Sequence, residues 1–221
     1  MSRRPRHTDP LSRDRIVAAA IEVADRQGFE ALSMRRVAEH LGSGTMSLYR
    51  HIADKDELIG AMVGQVTARY AYPDRTGMSW RECLHQLAKR DWQAFQDHPW
   101  MLAANASVTP AFGTESLASM EWALAALEPL NLSTHEAARA IMVINNYVQG
   151  SARIALGDRE SAATDDLGHN WRTRLDDVDL AEFPRLADLI RRPPADAGGD
   201  WFVDGLDLIL DGVQLRAQAA R

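Results

Sequence analysis

Thr45, Met46, Ser47, Tyr49 and Arg50 bring two hydroxyls, a thioether, a phenol and a guanidinium within six residues. Together they suit one kind of chemistry. Hydroxyl and guanidinium groups hydrogen-bond to base edges, apolar atoms meet thymine methyls, and the guanidinium also reaches phosphate. No other group of residues offers a reaction. Cys83 and His85 are two positions apart, about 200° around a helix of 3.6 residues per turn, so they cannot act together. The seven histidines are scattered. His-x-x-x-His, Cys-x-x-Cys and Gly-rich phosphate loops are absent. Asp165-Asp166 and Asp176-Asp177 lie in or beside polar stretches and read as solvated carboxylates. One cysteine makes neither an internal disulfide nor a metal-site pattern. The expectation is a chain that is not an enzyme and that needs no metal and no cofactor.

Groups that meet base edges need rigid elements behind them, and the patterning is helical almost throughout. Ser12 caps a first helix with Ile16, Ala20, Val23 and Ala24 on one face, ended by Gly28. Ser33 caps a second, with Val37, Ala38 and Leu41 inward, stopped by Gly42. A third short helix is expected from about Thr45 to His51. Asp54 and Glu57 have the spacing of a capping box and open a fourth, with Leu58, Ile59, Met62, Val63, Val66 and Tyr70 along one stripe. Residues 72–78 break the pattern. Ser79 with Glu82 and Ser133 with Glu136 repeat the capping-box spacing, predicting helices from 79 to about 97 and from 133 to 156. Between them, Pro99 opens a short helix, residues 107–112 read as loop, and a helix runs from about 115 to 127. Residues 157–175 are polar and read as a loop. Further helices are expected at 176–191 and 199–217.

Two short helices joined by a tight glycine turn over Ser33–Glu57 form a helix-turn-helix pattern, in which the second helix enters the major groove and the first braces it. Ala38 is small enough for a close helix crossing, and Gly42 permits a positive φ at the turn. Leu41 and Leu48 are expected inward, which leaves Thr45, Met46, Ser47, Tyr49 and Arg50 outward.

Leu11-Ser12, Ala-Asp-Arg-Gln-Gly at 24–28, Ser33-Met34-Arg35-Arg36-Val37-Ala38, Leu41-Gly42, Leu48-Tyr49-Arg50-His51 and Asp54-Lys55-Asp56-Glu57-Leu58 follow one another in the first quarter of the chain. With these motifs the segment from Ser12 to about Met62 resembles the DNA-binding domain of the tetracycline-repressor (TetR) family. The chain departs from it at Ser43-Gly44, where the family commonly has Val-Ser or Val-Thr. The resemblance implies that Arg35, Thr45, Met46, Ser47, Tyr49, Arg50, His51 and Lys55 approach DNA. Arg35 and residues 45–47 would read bases, while Tyr49, His51 and Lys55 would position the backbone. It also implies a C-terminal part that binds a small molecule and dimerises.

The body has residues that suit both tasks. Trp92, Phe95, Trp100, Phe112, Trp122 and Tyr147, with Met62 and Val66 of the linking helix, are candidates to line an apolar cavity. Asn105, Asn146 and Gln149 are candidate polar orienters. An ordinary filled core of the same residues is the other reading. The helix at 199–217 is apolar on more than one face, so helices 133–156 and 199–217 are expected to pair with a second copy in a four-helix bundle. A two-fold dimer would read half-sites about 34–36 Å apart, or more on a longer operator.

The expected architecture is all-α. Residues 1–54 form an N-terminal three-helix helix-turn-helix DNA-binding domain, with 1–10 as a flexible basic arm. Residues 55–221 form a C-terminal helical ligand-binding and dimerisation domain, with helix 55–71 linking the two. The net charge of −6 is unevenly spread: residues 1–51 carry nine arginines against six acids, which leaves the remainder at −9. A basic head on an acidic body fits a nucleic-acid surface carried by a body with another task. No apolar run approaches a membrane span, and Met1–Pro10 lacks the apolar stretch of a signal peptide, so the expected location is the cytoplasm. The expected partners are a double-stranded DNA operator, a small apolar or amphipathic effector and a second copy of the chain, with no membrane. The expected function is a ligand-responsive regulator, a repressor released from a near-palindromic operator; the alternative is a ligand-independent regulator or interaction module with a filled core.

Overall fold

The computed structural model describes residues 10–70, 72–107, 114–161, 180–191 and 200–219. Among them every regular element is helical. The helices are α1 (Arg13–Gln27), α2 (Met34–Leu41), α3 (Thr45–Leu48), α4 (Lys55–Arg69), α5 (Trp80–Asp97), α6 (Trp100–Ser107), α7 (Thr114–Leu127), α8 (Thr134–Ser161), α9 (Pro184–Arg191) and α10 (Trp201–Ala219). Single 3-10 turns follow α1 at Phe29–Ala31 and α7 at Glu128–Leu130. The chain divides into two units, Met1–Ala71 with Asp97–Met120, and Tyr72–Gln96 with Glu121–Arg221.

The helix starts follow from their caps. Ser12 and Ser33 accept hydrogen bonds from the backbone N–H groups of Arg15 and Arg36, satisfying donors that have no partner within the helix. At α5 and α8 the capping boxes are reciprocal: Glu82 accepts from the Ser79 N–H and Glu136 from the Ser133 N–H, at 2.7 and 2.9 Å. At α4 the box is shifted. Asp54 accepts from the Glu57 N–H at 2.7 Å, but Glu57 accepts from the N–H of Ala53, one residue earlier than the standard box.

In the first unit α1 packs across α2 and α4, and α2 against α3. Ile16, Ala20, Val37, Leu48, Leu58 and Met62 are fully buried there. Helix α6 packs on α4 and on the turn after α1. A polar clasp secures this corner: one carboxylate oxygen of Asp25 accepts from the Trp100 indole N–H at 2.7 Å and lies 2.8 Å from His98 Nδ1. Nearby the Tyr70 hydroxyl donates to Asp97 at 2.5 Å. Burial and that carboxylate push the Tyr70 phenol up to about 12.

In the second unit α8 packs along α10, and Ile144 and Val148 of α8 and Leu206 and Leu210 of α10 are buried. Arg81 on α5 bridges Asp207 and Asp211, one turn apart on α10, and His85 Nε2 lies 3.0 Å from Asp207.

Several boundaries differ from the sequence-based expectation. Helix α3 ends at Leu48, not His51, because the Leu48 carbonyl accepts from both His51 and Ile52 N–H groups and winds Tyr49–His51 into a tight turn. Leu41 is only half-buried. Helix α8 continues five residues past 156. Gly157 does not stop it, since a helical glycine costs only about 1 kcal/mol and this one does not adopt positive φ. Of the helix expected at 176–191, the described residues 180–183 form a turn and helix α9 starts at Pro184. Proline lacks an N–H and disfavours helical backbone in the residue before it, which makes it a first-turn residue. Residues 1–9, 108–113, 162–179 and 192–199 lie outside the described residues, and with them the basic arm, most of the 107–112 and 157–175 loops, and Phe112.

Candidate nucleic-acid interface

The site is built from α2, the turn Gly42–Gly44 and α3. Ser33 starts α2, and Val37 and Ala38, both buried, hold it to α1. Gly42 adopts φ 64°, ψ 32°, the left-handed region in which a Cβ is strained. Its N–H and that of Ser43 close the last turn of α2 on the Glu39 and Ala38 carbonyls, at 3.1 and 2.9 Å. The chain thus reverses within three residues. The Ser43-Gly44 departure from the family pattern is accommodated with Gly44 as the extended residue ahead of α3. Leu48, fully buried, seats α3 on α2, and buried Ile52 anchors the exit.

That burial sets what α3 presents outward. Met46 is 78% exposed and Tyr49 44%, both unusual for large apolar bodies. Thr45 and Ser47 are half-buried, while Arg50 and His51 are exposed. The Arg50 guanidinium donates to Ser47 Oγ at 3.2 Å, so these two residues act as one group. On α2, Arg35 Nε donates to Glu39 Oε1 at 2.9 Å, with Arg36 at 3.8 Å from the other oxygen. Glu39 belongs to none of the motifs named above; its spacing of four from Arg35 places the two on one face of α2. Lys55, exposed at the first turn of α4, holds its ammonium 5.6 Å from the Phe29 ring centroid. All eight residues named from the sequence therefore belong to α2, α3, the turn after it or the start of α4.

The residues named for a ligand divide between the units. Met62, Val66, Trp100 and Asn105 belong to the first and Trp92, Phe95, Trp122, Asn146 and Tyr147 to the second. Met62 and Val66 are completely buried, and Trp100 belongs to the Asp25 clasp. Asn105 and Asn146 are exposed, and Gln149 half-buried. In the second unit Trp92 packs on Phe202 at 4.5 Å and edge-on to Trp201 at 5.9 Å, and Tyr147 stacks on Phe202 at 5.5 Å. Trp122 joins a different pair, stacked on Tyr72 at 4.5 Å with its indole N–H on the Pro73 carbonyl. Trp201 and Phe202 enter from α10, and no periodicity linked them to Trp92.

Two family models match the chain: residues 16–62 match the tetR family of bacterial regulatory proteins, and residues 72–217 match the tetracyclin repressor-like C-terminal domain. The chain belongs to the TetR family. It is 36% identical over 226 residues to the transcriptional repressor DrrR1 of Streptomyces coeruleorubidus, covering 97% of this chain and 80% of the relative. It is 34% identical to a helix-turn-helix transcriptional regulator of Saccharopolyspora erythraea, over 86% of this chain and 78% of the relative. Among solved structures, ActR of Streptomyces coelicolor without ligand superposes with a TM-score of 0.79 at 26% identity, covering 96% of this chain and 99% of ActR. ActR in complex with actinorhodin gives 0.77 at 25% identity, with 95% and 99% covered. Proteins of the TetR family are DNA-binding transcriptional regulators rather than enzymes, and this chain is one of them. No helix among the described residues is long and apolar enough to cross a membrane.

Proposed function

We propose that this TetR-family regulator is a cytoplasmic homodimeric repressor that a planar or amphipathic small molecule releases from a near-palindromic operator. The observation that carries the DNA reading is the α2–α3 pair: the left-handed Gly42 and the buried Leu48 turn Met46, Tyr49 and the Ser47–Arg50 pair outward together. Arg35 and residues 45–47 read bases, while Tyr49, Arg50, His51 and Lys55 grip the phosphate backbone.

The dimer reading is supported by apolar side chains left in solvent on the two packed helices. Val143 and Ile154 of α8 and Leu208 and Leu215 of α10 are more than half exposed, Leu208 at 76%. Gly150 and Gly212 lie between them in sequence and have open space where a Cβ would stand. A second copy covers such a surface in a four-helix bundle and fixes the separation of two heads. The effector reading is supported by the aromatic cluster of the second unit and by the ActR–actinorhodin complex. Residues 1–54 act as the reading head and 55–221 as the regulatory body, with α4 as the link. A coupling of about 1–3 kcal/mol between effector and operator suffices to change affinity 5–150-fold.

The test is a titration of the purified protein with the DNA upstream of its own gene against a random duplex, at several salt concentrations, followed by addition of planar polycyclic compounds, actinorhodin among them. Tight competitor-resistant binding to one near-palindrome, lost on addition of a compound, is the expected result. Equal affinity for both DNAs with a steep salt slope rejects specific readout. Operator affinity unmoved by every compound at saturation rejects the effector part.

A further inference from the structure

Gln96, near the end of α5, turns its carboxamide away from solvent. Gln96 is half-buried as a residue, but both polar atoms of its side chain, Oε1 and Nε2, are closed off from solvent, and neither has a hydrogen-bond partner among the described residues. Buried polar side chains are paired in the large majority of cases, because an unpaired donor and an unpaired acceptor each lose their hydration with nothing in return. A position serving only the core would carry leucine or methionine there. The exposed Asn105 and Asn146 lose no hydration and need no such explanation.

Gln96 stands one turn after Trp92 on α5, so the two share a helix face. Trp92 is the edge of the aromatic cluster with Trp201, Phe202 and Tyr147, and Phe95, next to Gln96, is buried. A carboxamide presents a donor and an acceptor side by side in one plane. Its natural complement has an acceptor and a donor side by side, on a flat apolar body that suits indole and phenyl neighbours.

We infer that the Gln96 carboxamide is the polar anchor of the effector site, pairing edge to edge with a neutral planar aromatic molecule that carries an adjacent donor and acceptor, such as a lactam or a hydroxy-carbonyl. This rests on the effector reading above. It explains why an amide that weakens the empty fold stands at this position: the unpaired groups are satisfied when the effector binds, and an analogue lacking the donor leaves the Gln96 carbonyl unpaired and is rejected.

The experiment uses the full-length protein and its Gln96→Met variant, close in shape but apolar. Thermal melts are recorded without ligand, with phenanthridin-6(5H)-one, and with its N-methyl derivative, which has lost the donor. The ligand-free Gln96→Met protein is expected to melt about 2–4 °C higher than wild type, as removal of an unpaired buried amide requires in a chain of this size. The lactam is expected to raise the melting temperature of wild type by mass action, with at least tenfold weaker binding to Gln96→Met and for the N-methyl compound to wild type. A lower ligand-free melting temperature for Gln96→Met overturns the proposal, because the amide then stabilises the fold. A lactam response that is absent from wild type, or equal in both proteins, also overturns it. Failure of the effector reading is separate: a wild type that no polycyclic compound releases from its operator rejects that reading, whereas release that is unchanged in Gln96→Met rejects Gln96 alone.

Discussion

The Tyr147 side chain occupies the space that a Cβ on Gly205 would need. Its ring carbon Cζ would stand 2.9 Å from that atom and its hydroxyl closer still. The hydroxyl donates instead to the Phe202 carbonyl at 2.9 Å, in the first turn of α10. Glycine at 205 is therefore the condition for α8 and α10 to pack with this tyrosine between them. Gly205→Ala raises helix propensity by about 1 kcal/mol in isolation, but overpacking costs about 1–3 kcal/mol. The expected outcome is a melting temperature lowered by a few degrees, with partial recovery in Gly205→Ala/Tyr147→Phe. Equal stability of Gly205→Ala and wild type contradicts it.

The reading head depends on one left-handed residue. Gly42→Ala forces a Cβ into φ 64°, at a cost of about 1–2 kcal/mol. Ser33→Ala removes the cap of α2 and costs about 1 kcal/mol. Gly42→Asn is expected to be milder, because asparagine tolerates this region. Denaturant titration measures all three, and an unchanged midpoint for Gly42→Ala sinks the argument.

Base and backbone contacts separate by salt dependence. Lys55→Ala is expected to weaken binding to all duplexes alike and reduce the slope of log affinity against log salt by about 1. Met46→Ala carries no charge change, so its slope stays constant while discrimination between the operator and a mismatched site falls by about 1–3 kcal/mol. The reverse pattern excludes the assigned roles.

A surface of apolar helix predicts its own disruption. Leu208→Glu and Ile154→Glu place charges where a second copy would bury them. Each variant should sediment as a monomer and lose about 10²–10⁴-fold in operator affinity, since two heads then no longer bind as one unit. A dimer of unchanged affinity in both variants rules out this face.

Acid should loosen the helix starts first. Glu57 is held below its ordinary value of 4.5 by the Ala53 N–H and then Arg13, Glu82 by the Ser79 N–H and then its hydroxyl, and Glu136 by the Ser133 hydroxyl and then its N–H. A carboxylate with a lowered folded value contributes stability that is present above its unfolded value and lost as pH falls through the folded one. Melting temperature is expected to hold down to about pH 5 and to decline below about 4.5. In Glu82→Gln/Glu136→Gln, which keeps an acceptor without a charge, the decline should be smaller. Identical pH profiles would show that these carboxylates do not contribute.

Local chemistry by itself determined much of this protein. Ser12, Ser33, Asp54, Ser79 and Ser133 announce helix starts because a cap needs only a side-chain oxygen two or three residues from a free N–H. Gly42 and the Leu-Tyr-Arg-His run mark the reading head for the same reason: a turn and a short helix are decided within a few residues. The signal failed where the decision was not local. Residues 157–161 read as the start of a polar loop, although the helix held by burial of Ile144 and Val148 runs on through them. Helix α3 ends three residues short of the expected His51, because the Leu48 carbonyl takes the N–H groups of both His51 and Ile52, and Ile52 is buried. Only the tertiary structure placed Phe202 and Trp201 beside Trp92, tied Asp25 to Trp100 75 residues away, and separated the exposed amides from the buried one at Gln96. Those relationships depend on which helix lies against which, and contacts between distant segments leave no trace in the spacing of either.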